Sequence, residues 1–212
     1  MSKAWLVRPI PHGRNRMEVF KTDNIIAVGW PLIGDLTGKV RSDIKAILQG
    51  PPYTYSSLKL GSAYATIDIL VNQMSKGDLI LVPNNDDIYF GKIESDYIYD
   101  NSKDSDAEGY PHQRKIKWLY GPISRTQLPD ELRTSLKVQR TTADLSKHYY
   151  AIKALSEGTD ITSINLPATE EVFINVEYPI RPGVLVKLSI PKDMTQSEAS
   201  RLGDFVKTLY FE

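Results

Sequence analysis

Short apolar runs bounded by turn residues recur through the first half of the chain and predict a series of strands. The runs are AWLVRPI (4–10), NIIAVGW (24–30), LILVP (79–83), IYFGKI (88–93) and HQRKIKWL (112–119). In the last run Lys115 and Lys117 occupy alternate positions and are expected on one polar face. Arg114, Ile116 and Trp118 are expected on the opposite face.

Apolar residues at three- and four-residue intervals predict helices between and after these strands. The segment GSAYATIDILVNQMSKGD (61–78) has apolar residues at helical spacing between Ala65 and Met74. The segments DIKAILQG (43–50) and TTADLSKHYYAIKAL (141–155) are also predicted as helices. Together the strands and helices predict an α+β fold.

Residues 156–170 have the composition of a linker and precede a small ββα pattern. Two strand-like runs, EVFINVEYPI and GVLVKLSI, are joined through RPG. A helical segment then begins at Thr195, and Glu198 stands three residues later, in the spacing of a capping box. The sequence therefore predicts a main domain at 1–155, a linker, and an appendage at 171–212.

The composition is that of an ordinary globular chain without thiol chemistry. Its 212 residues, 41% hydrophobic and 25% charged, suffice for one large domain or one domain with a small addition. The absence of cysteine excludes disulfides, cysteine zinc sites and a thiol nucleophile, and it fits a reducing cytoplasm. No signal peptide and no run of roughly 18–20 apolar residues is present, so a cytoplasmic chain without a membrane partner is expected.

The net charge of zero conceals alternating basic and acidic blocks. Residues 1–70 carry 9 Lys and Arg against 5 Asp and Glu, and residues 71–110 carry 3 against 9. The balance is 9 against 3 in residues 111–155 and 5 against 9 in residues 156–212. When charge is segregated in this way, net charge is a poor guide to nucleic-acid binding. Ordinary solvated faces would give the same pattern.

No motif in the chain predicts a catalytic or metal site. GDLTGKV (34–40) resembles a phosphate-binding loop, but its glycines are too closely spaced and Val40 replaces the magnesium-binding Ser or Thr. The three histidines are far apart and form no HExxH pattern. We therefore expect no enzyme activity, no cofactor and no metal. A nuclease that holds a metal with carboxylates at 86–87 or 104–108 stays open.

An ordered set of segments resembles the EVE-type domain of the PUA-like superfamily, in the branch found at the N-termini of McrB-type and Mrr-type restriction proteins. The segments are the first strand with Trp5 and Arg8, VGW (28–30), KGDLILVP, IYFGKIESDYIYD, HQRKIKWL and ISRTQLPDELRTSL. The resemblance covers roughly residues 3–155. It implies a curved mixed β-barrel flanked by helices, which accepts a modified base, flipped out of the duplex, in an aromatic-lined pocket.

The resemblance also indicates which residues would form the base pocket. Trp30 is the first candidate, because it ends a strand before Pro31 at the expected mouth of the barrel. Further candidates, for stacking or for hydrogen bonds to a base edge, are Tyr89, Tyr64, Asn84 and Asn85. Each of these residues also fits an ordinary packed or half-exposed position. Trp118 is expected in the core, because it shares a face with Ile116.

Basic residues of the two positive blocks are the candidates for phosphate contacts. They are Arg14, Arg16, Lys39, Arg41, Arg114, Lys115, Lys117 and Arg125. Lysine and arginine neutralise the nucleic-acid backbone and position the protein without reading sequence. In this interpretation the HQRKIKWL strand meets phosphate, and the acidic loop 100–109 projects elsewhere or limits non-specific binding.

The expected partner is double-stranded DNA with a modified base, read by the specificity part of a restriction or phage-defence system. A nuclease or motor, as a domain or subunit outside this chain, would supply the chemistry. An RNA-binding PUA-like module stays an alternative, because a fold does not fix a function. A protein-interaction or small-ligand module is the other alternative. It would be favoured if the basic segments 8–16 and 111–125 did not share a face.

Overall fold

The computed structural model describes residues 2–159, 173–191 and 194–208. The chain divides into two units, Met1–Ile164 and Asn165–Glu212. Residues 160–170 of the predicted linker lie outside the described residues. Over the described ranges, no helix is long and apolar enough to span a bilayer.

The first unit contains a mixed sheet and flanking helices. Its strands are β1 Ala4–Val7, β2 Ile25–Val28, β3 Leu79–Asn84, β4 Asp87–Ile93, β5 Ile98–Tyr99, β6 His112–Ser124 and β7 Thr142–Asp144. Its helices are α1 Met17–Asp23, α2 Arg41–Gln49, α3 Ser57–Asp68, α4 Asp130–Ser135 and α5 Tyr149–Ser156. Helix α3 continues into a π-helical turn, Ile69–Gln73. The five predicted strands and the helix predicted at 61–78 are thus confirmed.

The sheet has the order β2-β6-β4-β3-β1-β7, with β5 beside β6. Strands β1 and β3 are parallel, and the other pairs are antiparallel. The sheet curls into a half-barrel. Part of the bending occurs at the bulge around Phe90 and Gly91, where a Cβ on Gly91 would lie 3.1 Å from the carbonyl oxygen of Lys117. The two backbones approach closely here because Gly91 has no side chain.

Both faces of the central strands are covered, which explains why their sequences are almost continuously apolar. From β1, Trp5 and Val7 pack into one buried cluster, together with Phe20, the Ile26 side chain of β2 and residues of α2 and α3. Ala4 and Leu6 point to the opposite face, where helices α4 and α5 cover a second cluster. Alternate side chains of one strand therefore contribute to two cores.

The helix predicted over residues 141–155 is only partly correct. Its first residues, Thr142–Asp144, form strand β7, which pairs with β1, and the helix begins at Tyr149. The free edge of β1 offers hydrogen bonds to an approaching chain, and this tertiary pairing overrides the local helical pattern. The sequence pattern does not contain that information.

The second unit has the elements that the sequence predicts. Strands β8 Phe173–Arg181 and β9 Val184–Pro191 form an antiparallel hairpin, and α6 spans Gln196–Val206. The Thr195 hydroxyl accepts a hydrogen bond from the Glu198 amide, and the Glu198 carboxylate accepts one from the Thr195 amide, so the predicted capping box is confirmed. Every residue of this unit whose burial is described is exposed or half-buried.

Candidate functional site

A pocket with three aromatic walls lies where the chain leaves β2. Its aromatic walls are Trp30, Tyr53 and Tyr55, and its other walls include His12 and Thr141. The pocket volume is about 250 Å³. All three aromatic side chains are half-buried, so each presents part of its ring to the opening. The predicted pocket residue Trp30 is therefore in a concave aromatic site.

The loop that carries Trp30 has an uncommon backbone conformation. Trp30 and Leu32 have φ angles of 65° and 68°, in the left-handed region that large side chains rarely adopt. Such a conformation costs on the order of 1–3 kcal/mol per residue and persists only where the surroundings enforce it. The residue in this conformation, Trp30, forms part of the pocket wall.

Three side-chain hydrogen bonds hold this loop, one on each of three successive residues. His112 Nε2 lies 3.3 Å from the carbonyl oxygen of Trp30. The Tyr53 hydroxyl donates to the carbonyl oxygen of Pro31 at 2.9 Å. The Leu32 amide donates to the Asp104 carboxylate. The strained segment is therefore fixed by partners from β6, from the α2–α3 connection and from the acidic loop.

His112 is fully buried and holds the Trp30 loop in position; its side chain does not face solvent. Burial lowers the pKa of His112 to about 4, so the imidazole is neutral near pH 7. Because the Trp30 carbonyl can only accept, the proton must be on Nε2, and Nδ1 accepts from the Tyr97 hydroxyl at 2.7 Å. The Tyr97 oxygen in turn accepts from the Leu36 amide at 3.3 Å. This chain of bonds connects the core to the pocket wall.

Tyr53 and Tyr55 form the second wall of the pocket. Their rings meet edge to face, with centroids 5.1 Å apart. Burial raises the pKa of Tyr53, and nearby negative charge adds to the effect, so its hydroxyl stays protonated and can donate to Pro31. The Tyr55 amide donates to the Leu48 carbonyl at 2.9 Å, which ties the loop to helix α2.

Two glycines allow His12 to form the third side of the pocket. A Cβ on Gly29 would lie 2.6 Å from the His12 amide nitrogen. A Cβ on Gly109 would lie 2.7 Å from the His12 Cβ, and Gly109 also has a φ of 72°. Any larger residue at either position would displace His12, so the pocket depends on both glycines.

The acidic loop 100–109 docks on the basic segment 12–16. His12 Nε2 lies 3.3 Å from a carboxylate oxygen of Asp106. Arg16 donates to the carbonyl oxygens of Ala107 and Glu108 at 3.1 and 2.7 Å, and Arg14 also donates to the Ala107 carbonyl. The loop therefore lies against two of the predicted phosphate residues, whose guanidinium groups its carbonyl oxygens accept from, and the alternative that it limits non-specific binding stays a prediction.

The structure removes Arg114 from the phosphate candidates. Its side chain is 3% exposed, and its guanidinium donates to the carbonyl oxygens of Leu70, Val71 and Ser95. The first two carbonyls belong to the π-helical turn, whose widened backbone leaves acceptors that need partners. Burial lowers the pKa of Arg114. Arg114 stabilises the connection of helix α3 to the sheet.

The other basic candidates on β6 lie away from the aromatic pocket. Lys115 pairs with Ile25 at the start of β2, whereas His112 pairs with Val28 at its end. Three residues of strand span about 10 Å. Lys115 and Lys117 line a separate shallow groove with Asp23 and Glu94.

Arg125 lies at the β3–β4 turn. Its guanidinium donates to the Asn85 carbonyl oxygen at 3.1 Å. Neither Arg125 nor the segment around Lys115 therefore lines the aromatic pocket with the segment 8–16.

Tyr89 also belongs to a different surface. It meets Trp118 edge to face, with ring centroids 6.2 Å apart, and both line a groove with Lys21 and Tyr120. Trp118 is half-buried, not fully within the core as the sequence predicts, because the pairing of β6 with β2 ends at Lys115 and leaves that side of Trp118 without a neighbouring strand. The structure thus places the predicted pocket residues Trp30 and Tyr89 at two different sites.

The three remaining pocket candidates do not line the pocket of Trp30. Asn84 ends β3, and its side-chain oxygen accepts from Asn15 at 2.8 Å. Asn85 is exposed in the turn, with a φ of 55°. Tyr64 lies on helix α3 beneath the cations of Arg41 and Lys45, at 5.2 and 5.4 Å from its ring centroid.

A basic patch on α2 and α3 adjoins the pocket. Lys59, in the first turn of α3, places its ammonium 4.3 Å from the ring centroid of Tyr55. Arg41 and Lys45 lie around the ring of Tyr64, which follows Lys59 by five residues on α3. The predicted candidate Lys39 is exposed just before α2, and its carbonyl accepts from Asn72. Of the predicted phosphate residues, Lys39 and Arg41 are thus the ones on this side.

Tyr53, Tyr55 and Lys59 were not predicted as site residues from the sequence. The two tyrosines lie in PPYTYSS, a connection without periodicity, where a packing role cannot be assigned from a pattern. Aromatic residues at alternate positions of a proline-bounded loop are a usable signal for a binding surface. In the described part of the chain, no group of three or more His, Asp or Glu side chains is arranged to hold a metal ion.

The family described as a domain of unknown function (DUF8426) matches residues 10–146, which is more than half of the chain. The matched range includes every residue named above as a wall of the aromatic pocket. No curated protein matches the chain.

Proposed function

We propose that the chain, which belongs to the DUF8426 family, is a non-enzymatic module that recognises a modified base in DNA. The curled half-barrel and its helices are compatible with the PUA-like, EVE-type class that the sequence resembles. In this proposal the module acts in the cytoplasm as the specificity part of a restriction or phage-defence system. A nuclease or motor outside this chain performs the chemistry.

The rigid aromatic pocket is the observation that carries the proposal. Extruding a base from a duplex costs a few kcal/mol. Stacking on aromatic side chains returns about 1–3 kcal/mol per base. Trp30, Tyr53 and Tyr55 supply such surfaces, and the hydrogen bonds on residues 30–32 hold them before the ligand arrives. A preorganised pocket avoids part of the ordering cost of binding.

The basic patch beside the pocket supplies the phosphate contacts in this proposal. Lys59 is next to Tyr55, and Arg41 and Lys45 lie on the same pair of helices. Arg14 and Arg16 are less suitable, because their guanidinium groups are bonded to carbonyl oxygens of the acidic loop. Phosphate contacts hold the duplex in register, and the aromatic pocket reads the base.

The test compares affinity for modified and unmodified duplexes of one sequence. A Trp30→Ala variant should lose the preference for the modified duplex by about 5- to 100-fold, the equivalent of one stacking interaction. It should keep most of the salt-sensitive binding that phosphate contacts provide. Tyr89→Ala is the matched control, because Tyr89 lines the other groove. Equal loss of preference in both variants contradicts the assignment of the pocket.

A small-ligand or protein-interaction module is the second candidate function. The observation that favours it is the separation of the basic segments: Lys115 and Lys117 lie three and five residues along β6 from His112, which pairs with Val28 at the pocket end of β2. Titration with methylated duplex DNA, structured RNA and free modified nucleosides separates the alternatives. Tight binding of a free nucleoside with no gain from the surrounding strand would favour the small-ligand function.

A further inference from the structure

We propose that the aromatic pocket selects a methylated base that carries a positive charge over a neutral methylated base. This inference rests on the proposed function and specifies the class of base. Methylation at N1 of adenine or N3 of cytosine gives a ring with a delocalised positive charge. Methylation at N6 of adenine or C5 of cytosine leaves the ring neutral.

The first support is the negative charge at the rim of the pocket. A carboxylate oxygen of Asp106 lies 3.3 Å from Nε2 of His12, which lines the pocket. The Asp104 carboxylate accepts a hydrogen bond from the amide of Leu32, two residues after Trp30. Both carboxylates also act on Tyr53, where they help to raise its pKa. The two charges therefore lie on the side of the pocket where Tyr53 stands.

The second support is that, among the described residues, no arginine forms an ion pair with Asp104 or Asp106. Arg14 and Arg16 are close in sequence and space, but they donate to carbonyl oxygens of Ala107 and Glu108. Asp104 accepts from two neutral donors, the Leu32 amide and the Tyr99 hydroxyl. The Asp106 side chain is 82% exposed, and its partner is a histidine that is charged only when protonated. The rim consequently keeps negative charge for a cationic ligand.

The third support is the character of the walls. Aromatic faces attract cations, and the attraction increases when water is excluded. The Tyr55 ring is already in contact with the Lys59 ammonium, 4.3 Å from its centroid, so the cationic base is expected against Trp30 and Tyr53. Aromatic walls with a carboxylate at the rim resemble, in chemistry, the cages that bind quaternary ammonium groups. A cationic base offers both the flat surface for stacking and the charge for the rim.

A negative rim also disfavours the wrong ligands. A neutral flipped base gains no charge interaction with these carboxylates, and Asp106 repels phosphate groups on its own side of the pocket, whereas Lys59 attracts them on the Tyr55 side. A cationic base offsets that repulsion at the one point where it enters the pocket. Specificity of this kind arises from an unfavourable interaction with competitors as well as a favourable one with the ligand.

The test uses two pairs of isomers that differ in charge but not in the number of atoms they add. Duplexes carry 1-methyladenine or N6-methyladenine, and 3-methylcytosine or 5-methylcytosine, at one position of one sequence. Each modified base stands opposite an abasic site, so that neither isomer has a pairing partner to lose. Dissociation constants are measured for the full chain, for Trp30→Ala, for Asp106→Asn and for Glu94→Gln. Glu94 is the control carboxylate, because it lines the separate groove.

We expect the cationic isomer of each pair to bind about tenfold more tightly than the neutral one. Asp106→Asn should reduce that ratio several-fold, and Glu94→Gln should leave it unchanged. Trp30→Ala should weaken binding of both isomers. The charge selection is refuted if the neutral isomers bind equally or better, or if Asp106→Asn leaves the ratio unchanged.

Failure of the proposed function gives a different result. In that case all four methylated duplexes bind like the unmodified duplex, and Trp30→Ala has no effect on any of them. A trimethyllysine peptide is included as a further probe. If the peptide binds the pocket while the duplexes do not, the pocket recognises a protein, and both proposals are overturned.

Discussion

His112 should make the stability of the protein depend on pH in a specific window. Its imidazole is buried, and burial lowers its pKa from 6.5 to about 4 in the folded chain. In the unfolded chain His112 takes up a proton near the ordinary pKa of 6.5. Between pH 6.5 and pH 4 the unfolded chain therefore binds more protons than the folded chain. Stability from His112 is therefore complete above pH 6.5 and is lost as the pH falls towards 4.

The size of the effect follows from the two pKa values. Each tenfold change in proton affinity is worth about 1.4 kcal/mol. The difference for His112 therefore corresponds to about 3 kcal/mol of unfolding free energy, lost between pH 6.5 and pH 4. Protonation would also place a proton on Nδ1, which now accepts from the Tyr97 hydroxyl. It would thereby disturb the series of hydrogen bonds that runs from Tyr97 through His112 to the Trp30 carbonyl.

Urea unfolding of the wild type and of His112→Gln at several pH values between 7.5 and 4 measures this effect. Glutamine keeps an amide donor for the Trp30 carbonyl but takes up no proton in this range. The variant should be less stable than the wild type at pH 7, and the difference should shrink by about 3 kcal/mol as the pH falls to 4. A constant difference between the two proteins across this range would refute the assignment of a buried neutral imidazole.

Three further predictions concern the basic residues and the second unit. Arg114→Met should lower the unfolding free energy by about 2–5 kcal/mol, measured by urea denaturation, because it leaves three buried carbonyl oxygens without a donor; a loss below 1 kcal/mol would contradict this role. Deleting residues 171–212 should leave a cooperative thermal transition in the remaining chain, because the buried clusters belong to the first unit; a broad transition in calorimetry would contradict it. Replacing Lys45 and Lys59 together by Gln should weaken binding to modified and unmodified duplexes alike and reduce the salt slope by about 1 per lost contact. Lys117→Gln, as the control, should leave the slope unchanged.

The strands were predictable because their signal is local. An alternating or continuous apolar run, as in β3 and β6, describes the faces of a strand whatever its neighbours are. Strand β7 was mistaken for helix because only the open edge of β1, far away in sequence, makes Thr142–Asp144 extended. The capping box at Thr195 was predictable because both of its hydrogen bonds lie within one turn.

The site was less predictable because its parts come from distant segments. Alternation correctly put Arg114 opposite Lys115, but it could not show that the face of Arg114 is closed by a π-helical turn. The charge blocks indicated opposite charges at 12–16 and 100–109 without showing that the two segments contact each other. Trp30 was identified from its position at a strand end, whereas Tyr53 and Tyr55 became neighbours of Trp30 only through the fold.

The most direct measurement of the central claim is the fluorescence of 2-aminopurine placed next to the modified base. If the base enters the pocket of Trp30, Tyr53 and Tyr55, its neighbour loses a stacking partner, and the fluorescence should rise severalfold when the wild type binds. The rise should be absent with Trp30→Ala at protein concentrations that saturate the duplex through its phosphates. Saturated binding of the wild-type protein without a rise in fluorescence would contradict the claim that the pocket accepts a flipped base.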